Sequence, residues 1–170
     1  LILTAARTGE TIGAKWDEVN FDKAVWVISA DRMKAGKEHR VPLSSGALKV
    51  LSGLKDAAQN DFIFPGMGRN TSLSNMAFLQ LLKRMDRNDI TAHGFRSSFR
   101  DWAAERTAYP HEVAEMALAH SVGNKVEAAY RRGDMFDKRR KIMDDWANFC
   151  TSKVGVDGNV VAIRKSQTES

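Results

Sequence analysis

Apolar residues recur at helical spacing along most of this chain and cluster at strand-like density only near its start. "SGALKVLSGLKDAA" places Leu48, Leu51 and Leu54 three residues apart, which predicts an amphipathic helix. "SLSNMAFLQLLKRMD" predicts another, capped by Ser72 or Ser74. In "TAHGFRSSFRDWAAER", Phe95, Phe99 and Trp102 share one stripe at about 100° per residue. "PHEVAEMALAH" predicts a helix with Pro110 near its first turn. "KVEAAYRR" predicts a short helix stopped by Gly133, and "MFDKRRKIMDDWANFC" a final one packing through Met135, Ile142, Trp146 and Phe149.

"AVWVISA" (24–30) is bulky, β-branched and apolar, as a strand should be. "DRMKAGKEH" is polar and carries Gly36, a hairpin connection, and "HRVPLS" returns as a strand that Pro42 places at a sheet edge. "LILTAA" has the character of a buried helix end. After it, Thr8 is positioned to cap a short helix with Glu10 in its first turn, running to about Trp16. The predicted class is α+β, mainly α-helical, with one small antiparallel sheet near the N-terminal part. Residues 1–150 form the predicted domain and 151–170 a polar tail, whose "NVVAIR" has strand character.

Composition narrows the class. A chain of 170 residues with 43% hydrophobic and 28% charged content can bury a core, and no apolar run spans a bilayer. The single cysteine, Cys150, makes no internal disulfide, and no Cys/His spacing marks a zinc site; both suit a reducing cytoplasm. The net charge of +5 suits a polyanionic partner. The chain opens on Leu1 inside an apolar run, which predicts a piece of a longer protein.

The chemistry concentrates in a few cations. His93 and Arg96 begin a helix, where exposed N–H groups already carry partial positive charge, and Arg100 follows. An anion bound from outside would reconcile them. Arg7 follows a buried apolar run; it either pairs with Glu10 or aims at a ligand. Lys34 and Lys37 sit on the hairpin as soluble-loop residues or as a mobile acid. His120 ends a helix, where a cation suits the dipole. Tyr130 is a core residue or, beside Arg131 and Arg132, a phenol with nucleophilic character.

Taken in order and spacing, "ARTGE", the lysine hairpin before "RVPLS", "HGFR", "ALAH" and "AAYRRGD" resemble the catalytic domain of the tyrosine recombinases, the phage integrase family. "HGFRSSFRDWAAE" and "VEAAYRR" are most similar to prophage and genomic-island integrases. The resemblance implies catalytic roles for Arg7, Lys34, His93, Arg96, His120 and Tyr130, with Lys37 the poorer match for the hairpin lysine and Glu10 a supporting acid. It implies that Tyr130 attacks a DNA phosphodiester to form a 3′-phosphotyrosine and free a 5′-hydroxyl. Arg7, Arg96 and His120 would hold the phosphate, Lys34 would protonate the leaving oxygen, and His93 would assist the phenol or orient the phosphate. No metal, ATP or other cofactor is implied. Implied partners are double-stranded attachment-site DNA, further recombinase protomers in a tetrameric synaptic complex, and accessory DNA-bending or directionality factors; no membrane is implied. The implied place of action is the bacterial cytoplasm, at the nucleoid. Charge alone nominates Arg100, Lys125, Arg131 and Arg132 for DNA contact. Rival readings are a type IB topoisomerase and a non-catalytic DNA-binding or assembly module. The resemblance implies that the family's core-binding domain and some of the first catalytic-domain helices precede Leu1; stable folding is expected, with room for a weakened core, and recombination by the piece alone is not expected.

Overall fold

Val25–Ile28 forms the central strand of a three-stranded antiparallel sheet because each of its residues has a cross-strand partner. The computed structural model describes residues 1–122 and 133–152. Strands β1 (Val19–Asn20), β2 (Val25–Ile28) and β3 (His39–Pro42) lie in the order β1-β2-β3. Trp26 faces Val41 and Ile28 faces His39 across the β2–β3 pair. Pro42 lies on an edge strand, as its missing N–H requires. Between β2 and β3 the chain makes a 3-10 turn, Ala30–Arg32, then a tight turn closed by the Gly36 N–H on the Met33 carbonyl. Gly36 takes φ 62 there, a conformation that favours glycine.

Six helices complete the described residues: α1 (Thr8–Ile12), α2 (Ser45–Lys55), α3 (Ala77–Arg84), α4 (Gly94–Arg106), α5 (His111–Ala117) and α6 (Phe136–Thr151). The predicted α+β class holds. Several boundaries differ from the sequence reading, each for a local reason. "LILTAA" is a 3-10 turn, Ile2–Thr4, closed by Ala5 in the left-handed region at φ 48, not the end of an α-helix. Arg7 rather than Thr8 occupies the N-cap of α1, because the Glu10 carboxylate turns back to accept from the Arg7 backbone N–H at 2.7 Å. That helix stops at Ile12, where Gly13 caps it, and a separate 3-10 turn covers Trp16–Glu18. Neither Ser72 nor Ser74 caps α3; Ser72 is held in an isolated bridge with Pro65, and Met76 precedes the first helical residue.

Two apolar cores result. The helical one joins Phe99, Trp102 and Ala103 of α4 to Val113, Ala114 and Ala117 of α5, and to Ile142, Met143 and Trp146 of α6. The Phe99 and Trp146 rings meet edge to face at 5.4 Å. Burying each such side chain stabilises by about 1.5–3 kcal/mol, so the three helices together hold this core. The second core lies on the sheet: Trp26, Ile28, Met33, Val41 and Leu43, with Ala47 of α2 and Ile63. An apolar cavity of about 570 Å³ opens beside Leu1 between α2 and α3, lined in part by Leu3, Leu51, Phe78, Leu82 and Phe95.

The cores touch at two points of the chain. Ala5 belongs to the helical core and Ala6 to the sheet core. Leu118 belongs to the helical core and Ala119 packs on the sheet core. The next residues along the chain are Arg7 and His120, so both emerge at the seam.

Candidate active site

The end of α5 organises the site. Ala119 takes φ 52; its N–H bonds the Met116 carbonyl at 3.1 Å and the His120 N–H bonds the Glu115 carbonyl at 2.9 Å. This is a Schellman closure with alanine where glycine is usual, a conformation costing about 1–2 kcal/mol for an L-residue. It consumes the carbonyls of Glu115 and Met116 and leaves those of Leu118 and Ala119 for other donors. It also folds His120 back over the Glu115 side chain.

Two arginines take those carbonyls. Arg96 enters from the first turn of α4 and is only 4% exposed. One of its terminal nitrogens donates to the Leu118 carbonyl at 2.8 Å, and the other to the carbonyl of Ala5. Arg7 donates to the Ala119 carbonyl at 3.4 Å and to Glu10 Oε1 at 2.8 Å. The left-handed turns at Ala5 and Ala119 thus lie next to the guanidinium groups they help to orient. Burial first, and the nearby Arg7 charge second, push the Arg96 guanidinium below its ordinary pKa. Among the described residues Arg96 has no carboxylate salt-bridge partner. Carbonyl dipoles hold it directly, the Glu10 and Glu115 carboxylates act on it only without a direct bond, and a second cation lies beside it.

His120 completes the group. Its Nε2 lies 3.2 Å from the Arg96 nitrogen that also bonds Leu118, and its Nδ1 lies 2.8 Å from Glu115 Oε2. An arginine can only donate, so the pairing assigns the proton to Nδ1 and the lone pair to Nε2. Its side chain is 40% exposed, so this edge of the cluster faces solvent. Glu115 Oε1 in turn accepts from Arg100 Nε at 2.8 Å.

The structure therefore brings together Arg7, Arg96 and His120, with Arg100 attached through Glu115. His93 immediately precedes α4; it is exposed, and its carbonyl accepts the Arg96 backbone N–H at 3.0 Å. Lys34 and Lys37 are exposed on the hairpin and make no hydrogen bond or ion pair among the described residues. Tyr130, Lys125, Arg131 and Arg132 lie outside the described residues. The chain has two tyrosines. Tyr109 is occupied elsewhere: its hydroxyl donates to Asp145 at 2.6 Å, and burial together with that bond pushes its pKa up to about 12. That phenol is held protonated in a structural contact. No group of three or more His, Cys, Asp or Glu suited to a metal ion occurs among the described residues.

Sequence reasoning missed Glu115 and His39. A lone acid five residues before a histidine is a signal only once the helix is known to end between them. His39 starts β3 and feels Arg139, Glu10, Arg7 and the Ala117 backbone; burial, followed by the Arg139 charge, lowers its pKa to about 4. Its strand position hid it within "HRVPLS".

A guanidinium pair and an imidazole gathered at a helix end, in this chain order, agree with relatedness to known proteins. The phage integrase family model matches residues 1–135. The chain belongs to the phage integrase family. It is 36% identical over 169 residues to prophage integrase IntA and 34% identical over 161 residues to prophage integrase IntZ, both of Escherichia coli K12. It is 31% identical over 155 residues to the integrase of Shigella phage Sf6. These alignments cover 98%, 94% and 89% of the chain but only 40% of each relative, so the integrase-family chain described here spans about two fifths of their length. The fold is shared with the crystal structure of XerA recombinase at a TM-score of 0.58 and 14% identity, over 89% of this chain and 56% of that one.

Proposed function

We propose that this chain is the catalytic unit of a site-specific DNA recombinase that breaks and rejoins strands through a covalent 3′-phosphotyrosyl intermediate. The observation that carries the reading is Arg96: a buried guanidinium, oriented by two carbonyls, beside Arg7, and bonded directly to no carboxylate among the described residues. Such a group is preorganised for an anion that arrives from outside, and a forked donor matches a phosphate.

On this reading Arg7 and Arg96 bind the non-bridging oxygens of one phosphodiester. His120, once Nε2 also carries a proton, donates from it to the same group. Tyr130 attacks phosphorus in line; the P–O bond to the 5′-carbon side breaks, and Lys34 gives a proton to the leaving 5′-oxygen. The phenolic proton leaves with help from His93. The phosphotyrosine conserves the bond energy, so a 5′-hydroxyl from another strand reverses the step and completes exchange. Arg100, Lys125, Arg131 and Arg132 meet the DNA backbone. The active assembly is a tetramer of protomers on paired attachment sites, served by DNA-bending or directionality factors, in the bacterial cytoplasm at the nucleoid. No helix among the described residues is long and apolar enough to cross a membrane.

A nicked suicide duplex carrying the attachment site tests the chemistry. The expected result is a covalent protein–DNA product that vanishes in Tyr130→Phe and persists in EDTA. An adduct formed by Tyr130→Phe, or loss of cleavage on chelation, would overturn the reading.

A further inference from the structure

We infer that Glu115 is a positioning residue for strand cleavage: its carboxylate fixes which ring nitrogen of His120 faces the phosphate and ties that ring to Arg100. The inference rests on the proposed role of His120 and goes beyond it.

The geometry carries the argument. Glu115 is buried on α5, yet both of its oxygens are used by residues outside its own helix turn: Oε2 by His120 Nδ1 and Oε1 by Arg100 Nε, each at 2.8 Å. His111, one turn earlier on the same helix, approaches Oε1 at 3.5 Å. The backbone at the helix end holds the pair in register, since the His120 N–H is bonded to the Glu115 carbonyl. His120 itself is 40% exposed and follows a single left-handed residue, so packing does not determine its ring orientation. Without Glu115 the ring loses the bond that fixes its Nδ1, and a flipped ring would turn Nδ1 toward Arg96. A carboxylate acceptor on Nδ1 removes that freedom and leaves Nε2 as the nitrogen that accepts from Arg96 here and that, when protonated, gives up that pairing to donate to the incoming phosphate. Burial pushes the Glu115 carboxyl up, but the bonds from His120 and Arg100 outweigh it and leave the group below the usual carboxylate range, which keeps it an acceptor.

Arg100 has a second role in this picture. It was nominated for DNA contact by charge, but its Nε is engaged with Glu115 while most of the guanidinium stays in solvent. One arginine therefore braces the carboxylate that orients His120.

The test is a mutant cycle on single-turnover cleavage of the suicide duplex at saturating protein, with DNA affinity and thermal midpoint measured for each variant. Glu115→Ala is expected to slow cleavage by about tenfold to a hundredfold, the range seen when the partner that orients a functional histidine is removed. Glu115→Gln keeps the shape and one acceptor and is expected to recover part of that loss, with affinity for DNA unchanged within about twofold. In a His120→Ala background, Glu115→Gln is expected to have no further effect, because there is no ring left to orient. An equal slowing with and without His120 overturns the positioning role, as does full activity of a folded Glu115→Ala. Parental cleavage by His120→Ala alone would instead overturn the assignment of His120, a separate arm of the same experiment.

Discussion

Arg139 of α6 is 1% exposed and Arg96 of α4 is 4% exposed, so both guanidinium groups have given up most of their hydration. Burial is the largest influence on each and pushes both pKa values down. Their surroundings then diverge. Arg139 reaches Asp134 Oδ2 at 2.6 Å and the carbonyls of Asp134 and Arg40 at 2.7 and 2.6 Å; Arg40 adds a two-point bond to the same carboxylate. Phe136 lies against the cations, with its ring 4.4 Å from Arg40. Arg96 is bonded to carbonyls and a histidine nitrogen but to no carboxylate among the described residues; the Arg7 charge opposes its own, and Glu10 and Glu115 offset that without a direct bond. Burial alone therefore does not distinguish a structural arginine from a functional one. A directly bonded carboxylate is the difference between the two here, and on the proposed reading a phosphate takes its place at Arg96.

The contrast can be broken at either end. The largest expected effect is at Arg96: Arg96→Met should slow covalent adduct formation by about a hundredfold to a thousandfold, as when one preorganised donor to a reacting oxyanion is removed, with only a small change in thermal midpoint. Cleavage within tenfold of the parent would mean that Arg96 is as structural as Arg139. The reverse is expected at the other arginine. Asp134→Asn leaves Arg139 and Arg40 without their carboxylate and should destabilise the fold by about 3 kcal/mol in urea unfolding. An unchanged unfolding midpoint would show that carbonyls suffice for a buried guanidinium here.

The smallest effect sharpens the comparison at the residue between them. Burial first, then the Arg139 charge and more weakly that of Arg7, lower the His39 pKa from 6.5 to about 4. The unfolded chain therefore binds a proton that the folded one refuses. The associated stability is fully present above pH 6.5 and is lost as pH falls from there toward 4. Thermal midpoints taken at intervals across that window should fall less steeply for His39→Gln than for the parent. Identical slopes would show that His39 is not held neutral by its burial beside these charges.

Much of the fold was legible because it depends on local periodicity. The stripe of Phe99 and Trp102, the β-branched run at Val25–Ile28, and the apolar spacing on α2 and α6 each encode a face that must be buried. Errors occurred where backbone hydrogen bonding competed with propensity. Thr8 looked like a cap, yet the Glu10 carboxylate made Arg7 the cap instead. Ala5 and Ala119 adopt left-handed turns with no glycine to announce them. The two-residue β1 is too short to show alternation.

The site divides in the same way. Residue types and their order along the chain by themselves determined which cations were available, and the family to which those motifs belong. That information is one-dimensional: it names Arg7, Arg96 and His120 but cannot say what neutralises them. Only the tertiary structure decided that the carbonyls of Ala5, Leu118 and Ala119 orient the two guanidinium groups, that Glu115 bonds His120, and that Arg139 meets a carboxylate directly while Arg96, among the described residues, does not. The reason is physical. Charge compensation depends on distance and burial, and both are set where two cores meet, at Arg7 and Arg96 by contacts that include residues more than ninety positions apart in the chain.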